Sequence, residues 1–205
     1  MTAGALARLV RDAAGRRAEE AADRCELCRA VLDGEHRHLL DTARQELLCA
    51  CRACALLFAD RAAGGGAYRL VPRRRVRLPA VATRALGVPV GLAFFVTGRE
   101  EGQGQGQEKV TAHYPGPAGA VRWEADPVAW REAVAGVPRL ATLEHDVEAL
   151  LVNTARGLRH HWIVPVDDCF RVVALVRREW RGLSGGDRVW PAVERFFGGL
   201  TERDP

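Results

Sequence analysis

The first apolar pattern in the chain is helical. Leu6, Leu9, Val10, Ala13 and Ala14 recur at helical spacing with Arg and Glu between them, which predicts an amphipathic helix over residues 4–23. Strand-like segments follow. Residues 36–41 and 46–50 form a hairpin pattern around Thr42 to Gln45, and residues 52–59 return to a helical pattern. Tyr68 to Pro72 reads as a short strand, and Val88 to Thr97 as a stronger one with Val90, Leu92, Phe94 and Val96 on one face. Residues 110–114 and 120–124 read as strands joined at Pro115-Gly116-Pro117. Asp126 as N-cap and Pro127 at the first helical position open a helix that ends near Gly136.

In the last third, residues 149–153 and 161–165 are strand-like, with a turn around Arg156-Gly157. Asp167 is the expected cap of a helix carrying Phe170, Val173, Leu175, Val176 and Trp180. Gly182 to Gly186 breaks that helix. A final one, residues 187–200, carries Trp190, Val193, Phe196 and Phe197. Strands grouped before helices predict an α+β fold. Its expected parts are an N-terminal helix, a zinc-ribbon or treble-clef-like segment, and a mainly antiparallel sheet packed by C-terminal helices. Gly64-Gly65-Gly66 reads as a flexible joint and places a boundary between 1–63 and 64–205.

Composition changes this picture in two ways. The 205 residues are 48% hydrophobic, enough for a real core. There are 30 basic against 26 acidic residues, and Lys109 is the single lysine. Such an arginine bias, with much alanine and glycine, is what a GC-rich genome produces, so arginine counts toward nucleic-acid binding only where it clusters. The N-terminal residues have no unbroken apolar stretch of the kind a signal peptide needs. No segment reaches the roughly 18 uncharged apolar residues of a membrane helix. The expectation is a soluble cytoplasmic protein, where closely spaced cysteines point to metal or redox chemistry more than to disulfides.

The cysteines carry the sharpest signal. Cys25-Glu26-Leu27-Cys28 is followed by Cys49-Ala50-Cys51-Arg52-Ala53-Cys54. A Cys-x2-Cys turn offers two thiolates from one knuckle, and two knuckles make a tetrahedral four-thiolate set that suits zinc. The predicted ligands are Cys25, Cys28, Cys51 and Cys54, with Cys49 as a substitute for Cys51 or a small buried residue. Rubredoxin-type iron uses the same knuckles but usually with glycine after each; Arg29 and Ala55 stand there, which argues for zinc over iron. His36 and His38, on alternate strand positions, either line the site or face solvent. Zinc bound this way contributes about 10 kcal/mol or more to folding such a segment.

Other candidates are weaker. From Arg61 to Arg99 there are eight arginines and no acid, a local charge of +8 in a chain of net +4. Arg69, Arg73, Arg74, Arg75 and Arg77 make the candidate interaction patch, facing an acidic partner or nucleic acid, or simply solvent. No aromatic platform accompanies the run, which counts against single-strand binding. Cys169 near a helix N-terminus reads as a reactive thiol or a buried helix residue. Glu144-His145-Asp146 and His160-His161-Trp162 match no ligand spacing. Nucleophile-elbow, phosphate-loop and dinucleotide motifs are missing, so no catalytic residue is expected.

Cys-Glu-Leu-Cys (25–28), His-Arg-His-Leu-Leu-Asp (36–41), Glu-Leu-Leu-Cys-Ala-Cys-Arg-Ala-Cys-Ala-Leu-Leu-Phe (46–58), Tyr-Arg-Leu-Val-Pro (68–72) and Trp-Arg-Gly-Leu-Ser-Gly-Gly (180–186) together resemble an uncharacterised family of GC-rich bacteria. Genes of that family tend to sit beside those for [NiFe]-hydrogenase subunits and maturation proteins. The resemblance spans most of the chain and implies a hydrogenase-associated accessory role, with hydrogenase subunits or maturation factors as partners and no catalytic residues. Two other functions stand beside it: iron-based electron transfer or redox protection at the same cysteines, and a zinc-containing nucleic-acid-binding protein.

Overall fold

The computed structural model describes residues 23–60, 63–88, 91–99, 108–182 and 186–203. The expected helix over 4–23 lies outside them, except for Asp23. The chain divides into two compact units, Met1–Leu70 and Val71–Pro205.

The first unit is built on a hairpin. Strands β1 (Arg37–Asp41) and β2 (Glu46–Ala50) pair antiparallel, with Asp41 opposite Glu46 and Arg37 opposite Ala50. Asp41 sets the turn: its Oδ1 accepts from the amides of Ala43 at 3.0 Å and Arg44 at 2.9 Å. A side chain that satisfies two turn amides fixes the register, and register decides which side chains share a face. A third strand, β3 (Tyr68–Leu70), pairs with the other edge of β1, so this segment belongs to the first unit rather than beyond the glycine joint. The glycines themselves form a short 3-10 turn, Ala63–Gly66, with Gly65 and Gly66 at positive φ. It is tied to the hairpin by Thr42, whose N–H donates to the Ala67 carbonyl at 3.0 Å. Helix α1 (Arg52–Leu57) follows β2. Leu32, Leu39 and Ala50 are buried together with Cys25 and Cys54.

The second unit is a six-stranded antiparallel sheet. Its further strands are β4 (Val76–Arg77), β5 (Leu92–Arg99), β6 (Glu108–Gly116), β7 (Gly119–Glu124), β8 (Glu148–Asn153) and β9 (His160–Pro165), in the order β4-β9-β8-β5-β6-β7. Helix α2 (Pro127–Gly136) starts where predicted, with Asp126 Oδ1 accepting from the Val128 amide at 2.7 Å. Helices α3 (Val166–Glu179) and α4 (Gly186–Gly198) close the chain. Alternation along β5 sorts the core into two layers. Ala93 and Phe95 pack with Trp130 of α2, whereas Leu92 and Phe94 pack with Val172, Val176, Val193 and Phe197 of α3 and α4. The sheet is therefore covered on both faces, which extends the expectation of C-terminal helices alone. It also explains why β8 is buried at every position.

Two details differ from the sequence reading. Helix α3 begins at an N-cap of Pro165 with no side-chain cap, and Asp167 and Asp168 occupy its first turn. The hairpin between β6 and β7 is tighter than expected: β6 runs through Pro115 to Gly116, which pairs with Gly119.

Candidate metal centre

The first knuckle is a tight loop closed on itself. The Cys25 amide donates to the Ala30 carbonyl and the Arg29 amide to the Cys25 carbonyl, both at 2.8 Å. Arg29 has φ 66°, the left-handed conformation in which glycine is cheapest. The arginine at this position therefore does not prevent a glycine-type knuckle, and the argument it offered against iron falls away. Glu26 fastens the loop to β2: its amide donates to the Cys49 carbonyl at 2.9 Å, and its carboxylate accepts from the Cys49 amide at 2.6 Å.

The second knuckle is the first turn of a helix. Cys51 is the N-cap of α1, and its Sγ accepts from the Cys54 amide at 3.5 Å. The Ala55 amide donates to the Cys51 carbonyl at 2.9 Å. Knuckle, hairpin, knuckle and helix thus follow in the expected order. The sulfurs of Cys25, Cys28, Cys51 and Cys54 all lie within 4.8 Å of one another, and Cys28 Sγ and Cys51 Sγ are 3.6 Å apart. Zinc–sulfur bonds of about 2.3 Å put the corners of a tetrahedron about 3.8 Å apart, so the spacing suits a four-thiolate ion. Cys25 and Cys54 are buried, Cys51 is half-buried and Cys28 exposed.

The thiols do not ionise alike. Burial opposes ionisation at Cys25, but backbone hydrogen bonds from Cys51, Cys28 and Leu27 outweigh it and bring this thiol down to about 6. Burial, then hydrogen bonding with the Cys28, Cys25 and Cys51 side chains, pushes Cys54 up to about 12. Four thiols packed this closely cannot all shed their protons beside one another unless a cation takes their place, which is the chemistry of a metal site.

Cys49 is not grouped with these four. It lies with His36 and His38, a second set of potential donors. The predicted arginine patch divides between the two units. Arg69 is in β3 of the first unit, and Arg73 to Arg77 belong to the second. Arg74 Nε and Nη2 donate to the two Glu148 oxygens at 2.9 and 2.8 Å, and Nη2 also to the Thr142 carbonyl at 3.0 Å. Arg75 Nε and Nη2 donate to Asp168 Oδ2 and Oδ1 at 2.6 and 2.9 Å. Glu148 and Asp168 are each 1% exposed. These two arginines are structural partners of buried carboxylates. They line, with Arg139 and Arg203, a cleft of about 440 Å³. No periodicity marked Glu148 and Asp168 as their partners; only an acid at an otherwise apolar strand or helix position hinted at it.

Cys169 is fully buried among Val172, Val173 and Val176, and burial, with Asp168 and Asp167, pushes its thiol well above the usual range. That rules out a reactive thiol at this position. His161 is 3% exposed in β9, and burial lowers its pKa. His145 Nδ1 lies 2.9 Å from Thr97 Oγ1. Among the described residues no helix is long and apolar enough to cross a membrane.

A family model spans both units, matching residues 24–204. The chain belongs to DUF5947, a family of unknown function. The match begins one residue before the first knuckle, so it covers both the cysteine cluster and the six-stranded sheet. No curated protein and no solved structure matches the chain.

Proposed function

We propose that this DUF5947 chain is a zinc-bearing, non-catalytic accessory protein that acts by binding another protein, and that it assists assembly or maturation of a [NiFe] hydrogenase. One observation carries the zinc part: four thiols from two knuckles converge at zinc spacing, leaving a bound ion no open coordination position. A closed four-thiolate site is a structural one. The exposed Leu56 and Leu57 of α1, 67% and 68% accessible, support protein binding beside that centre. The hydrogenase assignment rests on the sequence resemblance alone.

A second reading, a rubredoxin-like iron protein of electron transfer or redox protection, is favoured by the glycine-type conformation of Arg29. Nucleic-acid binding loses support because Arg74 and Arg75 face buried carboxylates. Metal analysis and a visible spectrum of anaerobically purified protein separate the first two: a colourless protein with zinc is expected, and a coloured iron protein overturns the zinc assignment. Co-purification with hydrogenase subunits and lowered hydrogenase activity in a deletion strain are expected. No association together with normal activity would sink the accessory role.

A further inference from the structure

The β1–β2 hairpin carries a second donor set. His36 and His38 are two residues apart on an extended segment, so they share a face. His38 stands directly opposite Cys49 across the ladder, the position at which cross-strand side chains meet. One nitrogen from each imidazole and Cys49 Sγ consequently lie within 4.8 Å of one another. The two rings meet edge-on with centroids 4.9 Å apart.

An independent observation comes from His36. Its Nε2 is buried and has no hydrogen-bond partner. Its Nδ1 lies 3.3 Å from the Asp33 carbonyl, a contact that the Nδ1–H tautomer makes by donating. That tautomer leaves the lone pair on Nε2. A backbone carbonyl orienting one imidazole nitrogen while the other is kept as a ligand is the usual support of a metal-binding histidine. A buried nitrogen left unpaired is costly, a penalty that an ion bound there would remove.

We propose that His36, His38 and Cys49 form a second metal site, distinct from the four-thiolate centre, that takes a transition-metal ion of borderline softness such as zinc or cobalt(II). Two imidazoles and one thiolate suit such ions and not magnesium or calcium, which require oxygen donors. Bonds of about 2.0–2.3 Å separate tetrahedral nitrogen and sulfur donors by roughly 3.3–3.6 Å, so side-chain rotations of about 1 Å close the set. Three protein donors leave a tetrahedral ion one open position. All three residues are half-buried. The four-thiolate ion is enclosed by its ligands, whereas this one exchanges with solvent and accepts an exogenous ligand.

The test is titration of the metal-stripped, reduced full-length protein with cobalt(II) under anaerobic conditions, read by visible absorption and by bound metal after desalting. The expected result is two equivalents, with a second set of bands distinct from the four-thiolate set. His36→Gln and Cys49→Ala each bind one equivalent, with the four-thiolate bands unchanged. Saturation of the wild type at one equivalent overturns the site. So does binding of two equivalents by both variants. Should His36→Gln lose the four-thiolate bands as well, indicating misfolding, His38→Gln replaces it in the same comparison, and the wild-type stoichiometry decides independently.

Discussion

Single residues fix the chemistry of the cysteine cluster. Cys51 does double duty as a candidate ligand and as the N-cap of α1. Cys51→Ser is expected to abolish metal binding at the four-thiolate centre, while Cys49→Ser retains it; metal content of the two purified variants checks this, and the reverse result would mean that Cys49 is the ligand. Arg29 holds a left-handed backbone at φ 66°. Arg29→Gly is expected to raise the stability of the first unit by about 1 kcal/mol, seen in its denaturation midpoint.

His113 offers a pH-dependent test in the other unit. It stacks on Phe94 with centroids 4.5 Å apart, opposite Arg122 in the β6–β7 ladder. Burial, and then Arg122, bring its imidazole down to about 4. The unfolded chain, with an ordinary value near 6.5, therefore binds the proton first as pH falls. Stability is complete above about 6.5 and is lost between there and about 4, by about 2–3 kcal/mol. Urea midpoints at pH 7 and pH 4.5 are expected to diverge for the wild type and to converge for His113→Phe.

At the scale of elements, two charged residues anchor the short strand β4. Arg75 meets Asp168 of α3 through two hydrogen bonds, and Arg171 adds a third at 3.3 Å. The Arg75 amide and carbonyl also bridge to Arg203, fixing the C-terminal segment. A buried carboxylate robbed of its partner is strongly destabilising. Arg75→Met is expected to cost about 3 kcal/mol in urea denaturation, and Arg75→Lys less, because a lysine keeps the charge but not the two-pronged geometry. If Arg75→Met left stability unchanged, the pair would be a surface contact in solution. The hairpin of the first unit was readable because two short strand-like segments flank a four-residue turn, Thr42 to Gln45, between the two knuckles. The Arg74–Glu148 and Arg75–Asp168 pairs were not, because they join positions far apart in the chain that share no local pattern.

For the molecule as a whole, the two units rest on different forces. The second has a sheet with apolar layers on both faces. Among the described residues, the first buries Cys25, Leu32, Leu39, Ala50 and Cys54 together, a small cluster that a metal held by its cysteines would reinforce. All five tryptophans (Trp123, Trp130, Trp162, Trp180 and Trp190) lie in the second unit. Chelation of the metal is expected to abolish amide-exchange protection over residues 24–70 and to leave tryptophan fluorescence native. A fluorescence change matching loss of the metal would show that the second unit depends on it too.

The sequence by itself determined the local structure: the two knuckles, the hairpin between them, the Asp126 helix start and most strand positions. These follow from short-range spacing, turn chemistry and periodicity, which need no knowledge of distant neighbours. Only the tertiary structure decided which side chains meet. It set Cys49 with the two histidines, turned Arg74 and Arg75 onto buried acids, sealed Cys169 in the core, and let Arg29 adopt a backbone that its side chain disfavours. Such outcomes depend on register, burial and long-range pairing, and a free-energy balance over the whole fold can override a local preference at one residue.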